Sequence, residues 1–204
     1  MQTATFVALL HASTTRLVYE FAGAGVEALS ALHAVSGSSR TVLEASDWYS
    51  KASLELAVGQ KSLQSGAASV EVVTALAWHA YERAVLLSGI EDARVASEDE
   101  GPPVKPVLGV ACVGAIATDR VRRGADRALV AIASGPTQPL RLRSIHFPPS
   151  FRGDRPAQER AVSDLVILAT CCEAGVVPAD AVLSHMFAEH GELELLQTEQ
   201  TGFI

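Results

Sequence analysis

The chain has 204 residues, a length that predicts a single domain at roughly 150 residues per domain. Hydrophobic residues make up 49% of it and charged residues 19%, a balance that excludes global disorder. The formal net charge of -7 argues against general nucleic-acid binding, and no apolar run approaches the roughly 18 residues that would predict a membrane span.

Apolar periodicity and turn residues divide the first half of the chain into alternating helices and strands. Ser50 and Ser69 are the expected N-caps of the two helices that follow them. The first of these helices is predicted to close at Gly59, and the second, longer one at Ser88-Gly89. In chain order we predict a helical turn at 6–11, a strand at 16–22, a helix at 26–35, a strand at 41–49, and helices at 51–58 and 70–87.

The second half opens on a shift in composition. Residues 90–106 contain five acidic residues and three prolines, which predicts an exposed acidic loop inside the domain. Gly135-Pro136 separates two strand candidates and predicts a hairpin. In chain order we predict strands at 107–115, 128–133 and 140–147, a loop at 148–156, helices at 157–174 and 178–190, and a polar tail at 192–204 that frays.

Strands that alternate with helices are typical of an α/β protein. We predict a three-layer α/β/α domain with a mixed, mostly parallel sheet, and right-handed crossovers place helices on both of its faces. The domain is expected to span residues 1–175, including the acidic loop 90–106. A C-terminal helix and tail then occupy residues 176–204.

The three cysteines, Cys112, Cys171 and Cys172, do not form the pattern of a disulfide framework. They fit a reducing compartment, and we expect the protein in the cytoplasm. Two further residues, His185 and His190, lie five positions apart, whereas a metal-binding pair on a helix needs a spacing of four. We therefore predict no metal site and no cofactor.

The turn Gly23-Ala-Gly25 follows a predicted strand and has two interpretations. Glycine turns of this kind can direct backbone N–H groups toward a phosphate. The segment lacks the third glycine of a dinucleotide motif and the lysine of a P-loop. We therefore favour a tight structural turn, with phosphate binding as the alternative.

Residues 118–127 (TDRVRRGADR) concentrate four arginines in an acidic chain. The planar guanidinium suits phosphate or carboxylate recognition, and the segment follows a predicted buried strand, where ligand crevices of α/β sheets open. An anion site is one hypothesis. A solvated loop whose arginines pair with acidic residues at 91–100 is the other.

Residues 37–50 (GSSRTVLEASDWYS) resemble a block of the CinA C-terminal-domain family, whose bacterial members are nicotinamide-nucleotide amidases. Order and spacing match better than residue identities, and the resemblance covers residues 14–175. It implies the CinA α/β fold. The chain resembles a eukaryote-type branch in which a basic ATDR..RG stretch replaces a glycine-rich loop, and in which the domain can precede a nucleotidyltransferase-like domain.

The chain departs from this family at the positions that carry amidase chemistry. The family's nucleophilic serine aligns with Phe21 or Ala22, and its catalytic lysine aligns with Leu54. Lys51 is nearby but falls on another helix face. A serine–lysine dyad needs both groups within hydrogen-bond reach, so the resemblance implies a domain with no catalytic residues. The family's glycine-rich turn becomes residues 113–118, which keep one glycine.

We therefore expect a catalytically inactive CinA-like domain, a pseudoenzyme, that binds a small anionic, nucleotide-like ligand or a protein partner. The alternatives are a remodelled amidohydrolase acting on nicotinamide mononucleotide or a related amide, and a structural oligomerisation domain. We expect a homo-oligomer, with neither nucleic acid nor membrane as a partner. The expected anion pocket comprises Tyr49, Ser50, Thr118, Asp119, Arg120, Arg123 and Gly124.

Overall fold

The computed structural model describes residues 3–95, 105–119, 124–191 and 193–200. The helices in this part of the chain are α1 (Thr3–Ala12), α2 (Val26–Ala34), α3 (Ser38–Thr41), α4 (Lys51–Ser62), α5 (Val70–Val95), α6 (Arg155–Glu173) and α7 (Ala179–His190). The strands are β1 (Arg16–Ala22), β2 (Val42–Asp47), β3 (Val107–Ala115), β4 (Arg127–Ala133), β5 (Leu140–His146) and β6 (Glu194–Gln200). Short 3-10 turns lie at Leu63–Ser65 and Pro149–Phe151.

The six strands form one mixed sheet in the order β2-β1-β3-β4-β5-β6. Strand β1 pairs in parallel with both β2 and β3, whereas the β3–β4, β4–β5 and β5–β6 pairs are antiparallel. The α/β class is confirmed, but the expectation of a mostly parallel sheet is wrong for the described strands. The six-residue connection 134–139 between β4 and β5 is too short for the crossover that a parallel pair requires.

Helices cover both faces of the sheet, as the three-layer prediction requires. Strand β3 alternates between the two sides: Val110 and Cys112 belong to the core beneath α1, α2, α6 and α7, whereas Ala111 and Val113 contact the core beneath α4 and α5. Among the described residues, no helix is both long enough and apolar enough to cross a membrane.

The contact between α5 and β3 depends on a glycine. A Cβ atom placed on Gly109 would lie 2.2 Å from the backbone oxygen of Ala77 and 2.2 Å from the backbone nitrogen of Tyr81. Because real Cβ atoms do not approach backbone this closely, only glycine lets α5 lie directly on the strand. The position of α5 then determines which side chains it brings over β1 and β2.

Both predicted serine caps are present. Ser50 Oγ accepts a hydrogen bond from the backbone N–H of Ser53 at 3.1 Å, and Ser69 Oγ accepts one from Val72 at 3.3 Å. Gly59 interrupts the first helix with a φ of 75°, and a further turn follows before α4 ends at Ser62. The helix starts were therefore predicted correctly, and the end at Gly59 only in part.

The prediction that the long helix ends at Ser88-Gly89 is wrong, because α5 continues to Val95. Arg16 accounts for the continuation: its guanidinium donates to the Ser88 hydroxyl at 2.8 Å and lies 2.8 Å from the carboxylate of Asp92. These tertiary contacts outweigh the weak helix propensity of serine and glycine. Residues 90–95 of the predicted acidic loop are thus helical, and residues 96–104 lie outside the described part.

The prediction of a frayed tail is also wrong for Glu194–Gln200, which form the edge strand β6. Arg141 on β5 lies opposite Glu199 in the register and forms an ion pair with it. Leu193, directly before the strand, is buried. A polar segment becomes a strand here because β5 offers it an unpaired edge and opposite charges across the ladder. Residues 192 and 201–204 lie outside the described part.

Candidate functional site

The carboxyl ends of the three parallel strands β2, β1 and β3 meet at one edge of the sheet, which we call the carboxyl edge. From the central strand β1 the chain leaves through α2 toward β2, whereas β3 lies on its other side. In open α/β sheets, ligands bind outside the carboxyl ends of the strands, at the point where the chain connections leave toward opposite sides of the sheet. Three segments emerge here: residues 23–25, 48–50 and 116–119.

The glycine turn at this edge is a structural turn. Gly23 has a φ of 80°, and a Cβ atom on it would lie 2.3 Å from the backbone oxygen of Gly114. Two N–H groups at the end of the turn are already bound, because the carboxylate of Glu159 accepts from Gly25 at 2.9 Å and from Glu27 at 3.2 Å. A carboxylate of the protein therefore occupies the position that a phosphate would take, and the favoured interpretation of this turn is confirmed.

Helix α6 also fixes the loop that follows β3. The side-chain oxygen of Gln158 accepts from the backbone N–H of Ala117 at 2.6 Å, and its amide nitrogen donates to Asp126 at 2.8 Å. Arg155 donates to the Ala117 carbonyl at 2.9 Å and to the Gly23 carbonyl at 3.2 Å. The side chains of one helix thus hold two of the three segments at the carboxyl edge.

The described members of the expected anion pocket are all exposed, and they fall into separate groups. Thr118 Oγ1 donates to Asp119 at 3.0 Å in the loop after β3. Tyr49 is 71% exposed after β2, and the Ser50 hydroxyl is used as a helix cap. Among the described residues, no hydrogen bond joins these groups to each other or to Gly124. Arg120 and Arg123 lie outside the described part of the chain.

The described part of the acidic segment has other partners than the arginines at 118–127. Glu91 pairs with Arg94 at 3.1 Å within α5, and Asp92 lies 2.8 Å from Arg16 on β1. The described arginine of the segment, Arg127, donates to the carbonyl of Ala68 at 2.9 Å. Of the four arginines in the cluster, Arg127 is therefore held by a backbone carbonyl, whereas Arg120, Arg122 and Arg123 lie outside the described part of the chain.

A cavity of about 400 Å³ opens beside Arg127, at the end of β4 that lies next to the carboxyl edge. This volume is within the range of small-molecule sites. The cavity lies between the start of α5 and strands β4 to β6, and its walls combine apolar and polar side chains. They include Arg127, Leu129, Leu142, Ser144, His146 and Leu196.

Sequence reasoning missed two buried carboxylates near this edge. Glu159 lies on a helix that gave no sign of its contact with a distant turn. Glu20 did carry a signal, because an acidic residue in the middle of the apolar run of β1 must find a buried partner. That partner is His79 on α5, whose Nδ1 lies 2.7 Å from Glu20 Oε1.

No protein-family model matches the sequence, and a comparison with curated proteins finds no similar sequence. The fold, in contrast, is similar to several solved structures. The CinA superfamily protein of Enterobacter cloacae aligns with a TM-score of 0.61 and 15% identity, over 85% of this chain and 93% of that one. The CinA superfamily protein of Klebsiella pneumoniae aligns with a TM-score of 0.61 and 12% identity, over 86% and 99% of the two chains.

A competence/damage-inducible protein of Agrobacterium tumefaciens aligns with a TM-score of 0.56 and 17% identity, over 82% of this chain and 94% of that one. The fold of this chain is therefore that of the CinA superfamily structures, as the resemblance in the sequence predicted. Identities this low establish the fold alone.

Proposed function

We propose that this chain is a CinA-fold domain that lacks the family's amidase chemistry and binds a small anionic, nucleotide-like ligand beside the carboxyl edge. The proposed loss of amidase chemistry rests on one observation: the residues that align with the family's catalytic serine and lysine are apolar and buried. Phe21 is 4% exposed and stacks on Tyr19 with ring centroids 4.9 Å apart, and Leu54 is 2% exposed. Neither an attacking oxygen nor a buried amine is available from these side chains.

The proposed binding of an anionic ligand is supported by the exposed polar residues in the loop after β3 and by the cavity nearby. Thr118 and Asp119 are exposed on a loop that Gln158 and Arg155 hold in place. The cavity beside Arg127 has room for a small ligand. The sequence adds Arg120 and Arg123 to the same connection between β3 and β4, and a local excess of guanidinium groups attracts phosphate.

Ligand binding is tested by thermal unfolding with nicotinamide mononucleotide, nicotinate mononucleotide and inorganic phosphate. A ligand at about 100 times its dissociation constant stabilises the fold by about 2.7 kcal/mol. The double variant Arg120→Ala/Arg123→Ala is expected to lose this shift, whereas Arg40→Ala/Arg94→Ala, two exposed arginines at the opposite edge of the sheet, keeps it. The shift should decrease as salt rises. A double variant that binds like the wild-type protein overturns the anion site.

The absence of amidase chemistry is tested by incubating the purified protein with nicotinamide mononucleotide and measuring ammonia. We expect release at the background rate. Ala22→Ser alone should not restore activity, because a serine without its lysine lacks the base that activates it. Ammonia release that scales with protein and survives further purification would support the alternative, a remodelled amidohydrolase.

We also propose that the protein works in the cytoplasm. All three cysteines lie in the described part of the chain and are free thiols. Burial raises the pKa of the Cys171 thiol to about 12, so this side chain acts as a small apolar group. Free thiols are typical of a reducing compartment. Fractionation of cells that express the full-length protein tests this location.

A further inference from the structure

A buried carboxylate holds a half-exposed imidazole on the α5 side of the sheet. Glu20 is 1% exposed, and its Oε1 lies 2.7 Å from Nδ1 of His79. The second oxygen, Oε2, accepts from the indole N–H of Trp48 at 3.2 Å. The Trp48 ring also contacts the His79 ring edge-on, with centroids 6.1 Å apart. The imidazole is therefore fixed by one hydrogen bond and one ring contact.

The neighbouring ion pair between Arg83 and Glu44 differs from the Glu20–His79 pair in its burial. One helical turn after His79, Arg83 donates hydrogen bonds from Nε and Nη2 to the carboxylate of Glu44 on β2, and both of these side chains are partly exposed. That pair ties α5 to the sheet edge. In the Glu20–His79 pair only the imidazole is accessible, with 44% of its side chain exposed. Burial of the acid in this pair costs desolvation, which raises the pKa of the Glu20 carboxyl.

The two hydrogen bonds to Glu20 determine the state of the imidazole. A carboxylate that accepts from Trp48 at one oxygen accepts from His79 at the other, so the ring proton lies on Nδ1. The lone pair is then on Nε2. Among the described residues, no protein atom hydrogen-bonds Nε2. A carboxylate that orients an imidazole in this way leaves the opposite nitrogen free to accept a proton from solvent or a ligand.

We propose that His79, positioned by Glu20 and Trp48, is a proton-accepting site for a water molecule or a small hydroxyl-bearing ligand that is neutral or cationic. The flanking groups set the charge preference: Glu20 and Glu44 outnumber the single guanidinium of Arg83, so the surroundings are acidic. The flat face of Trp48 offers an apolar contact. This site is chemically distinct from the anion site and does not depend on it.

Hydrolysis of p-nitrophenyl acetate probes the site. His79 Nε2 takes a proton from water while the water oxygen bonds to the ester carbonyl carbon. The tetrahedral adduct then breaks its bond to the aryl oxygen and releases p-nitrophenolate and acetic acid, and the imidazolium returns its proton to solvent. The reaction needs only water as co-reactant. We expect the folded chain to hydrolyse the ester faster than the same chain unfolded in urea.

Three variants assign this activity. His79→Gln should remove the excess rate over the unfolded chain, and Glu20→Gln should lower it by about tenfold or more. His33→Gln is the matched control, because His33 is also exposed but its Nδ1 pairs with the Ser38 hydroxyl at 2.7 Å rather than with a carboxylate. We expect the control to keep the wild-type rate. A folded His79→Gln variant that hydrolyses at the wild-type rate overturns the proposal.

Nitrogen-15 NMR of the histidine rings separates positioning by Glu20 from a merely structural role. We expect His79 in the Nδ1–H form in the wild-type protein and a changed tautomer ratio in Glu20→Gln. If that variant fails to fold, Trp48→Phe, which keeps a ring but removes the indole N–H, takes its place. A wild-type His79 in the Nε2–H form overturns the proposal, as does a folded wild-type chain no faster than the unfolded one.

Discussion

The carboxylate of Glu159 on α6 binds the backbone N–H of Gly25 at the start of α2, with Oε1 at 2.9 Å and Oε2 at 3.1 Å. The same carboxylate accepts from Glu27 N–H and from the Ser163 hydroxyl. Glu159 thus neutralises the positive end of a helix that faces the carboxyl edge. This contact joins two helices on one face of the sheet and closes one possible anion site.

Replacing Glu159 by alanine should destabilise the fold. The variant leaves two backbone N–H groups and a buried hydroxyl without their acceptor, which costs about 1–3 kcal/mol of the free energy of unfolding. Urea denaturation followed by circular dichroism measures this loss. Glu82→Ala, on the exposed side of α5, is the control and should change stability by less than about 0.5 kcal/mol. Equal stabilities of the two variants would contradict the role of Glu159.

Gly109 should not tolerate a side chain. Alanine at this position would force α5 away from β3, because its Cβ meets backbone atoms of Ala77 and Tyr81. We expect a loss of about 1–3 kcal/mol in the free energy of unfolding, typical of overpacking. Gly89→Ala, within α5 itself, is the control: nothing lies within 4 Å of its Cβ, and the variant should stabilise by about 0.5–1 kcal/mol. A stable Gly109→Ala variant would contradict the close helix–strand contact.

Asp164 should make stability depend on pH in the acid range. Burial raises its pKa, but hydrogen bonds from His190 at 2.8 Å and Thr3 at 2.7 Å lower it more, so the net pKa lies below its usual value. Because the folded pKa is below the unfolded one, the stabilisation is present above the unfolded value of about 3.9. It is lost as the pH falls through the folded pKa.

Asp164→Asn is therefore expected to be less stable than the wild-type protein at pH 7, with a difference that shrinks as the pH falls below the unfolded pKa. Urea denaturation across this range measures it. Asp180→Asn, an exposed acid in the first turn of α7, should show no comparable change with pH. A wild-type minus Asp164→Asn difference that stays constant over the whole range would count against the lowered pKa.

Self-association should involve the outer face of α5. Leu86 and Ile90 lie one helical turn apart and are 54% and 43% exposed. Apolar side chains exposed together on one helix face favour burial against a second copy. We expect light scattering at tens of micromolar to show an oligomer, and Leu86→Asp/Ile90→Asp to shift it toward monomer. Leu56→Asp, on α4 and 87% exposed, is the control. A wild-type protein that is strictly monomeric would refute the prediction.

The sequence by itself determined two strands that consist mainly of apolar residues and the helix starts that carry a cap. Residues 16–22 and 107–115 were predicted with their observed bounds, because long apolar runs bounded by turns have few alternatives. Ser50 and Ser69 marked helix starts because their hydroxyls satisfy N–H groups a few residues away. These signals are local, so a single chain segment contains them.

Only the tertiary structure decided where polar groups find distant partners. Helix α5 passes through Ser88-Gly89 because Arg16, 72 positions earlier, binds there. Strand β6 forms because β5 offers a free edge. Glu159 reaches a turn 134 positions away, and Glu20 reaches His79 across 59 positions. Each contact joins segments that are far apart in sequence, and no local pattern encodes the partner of a buried charge; the fold supplies it.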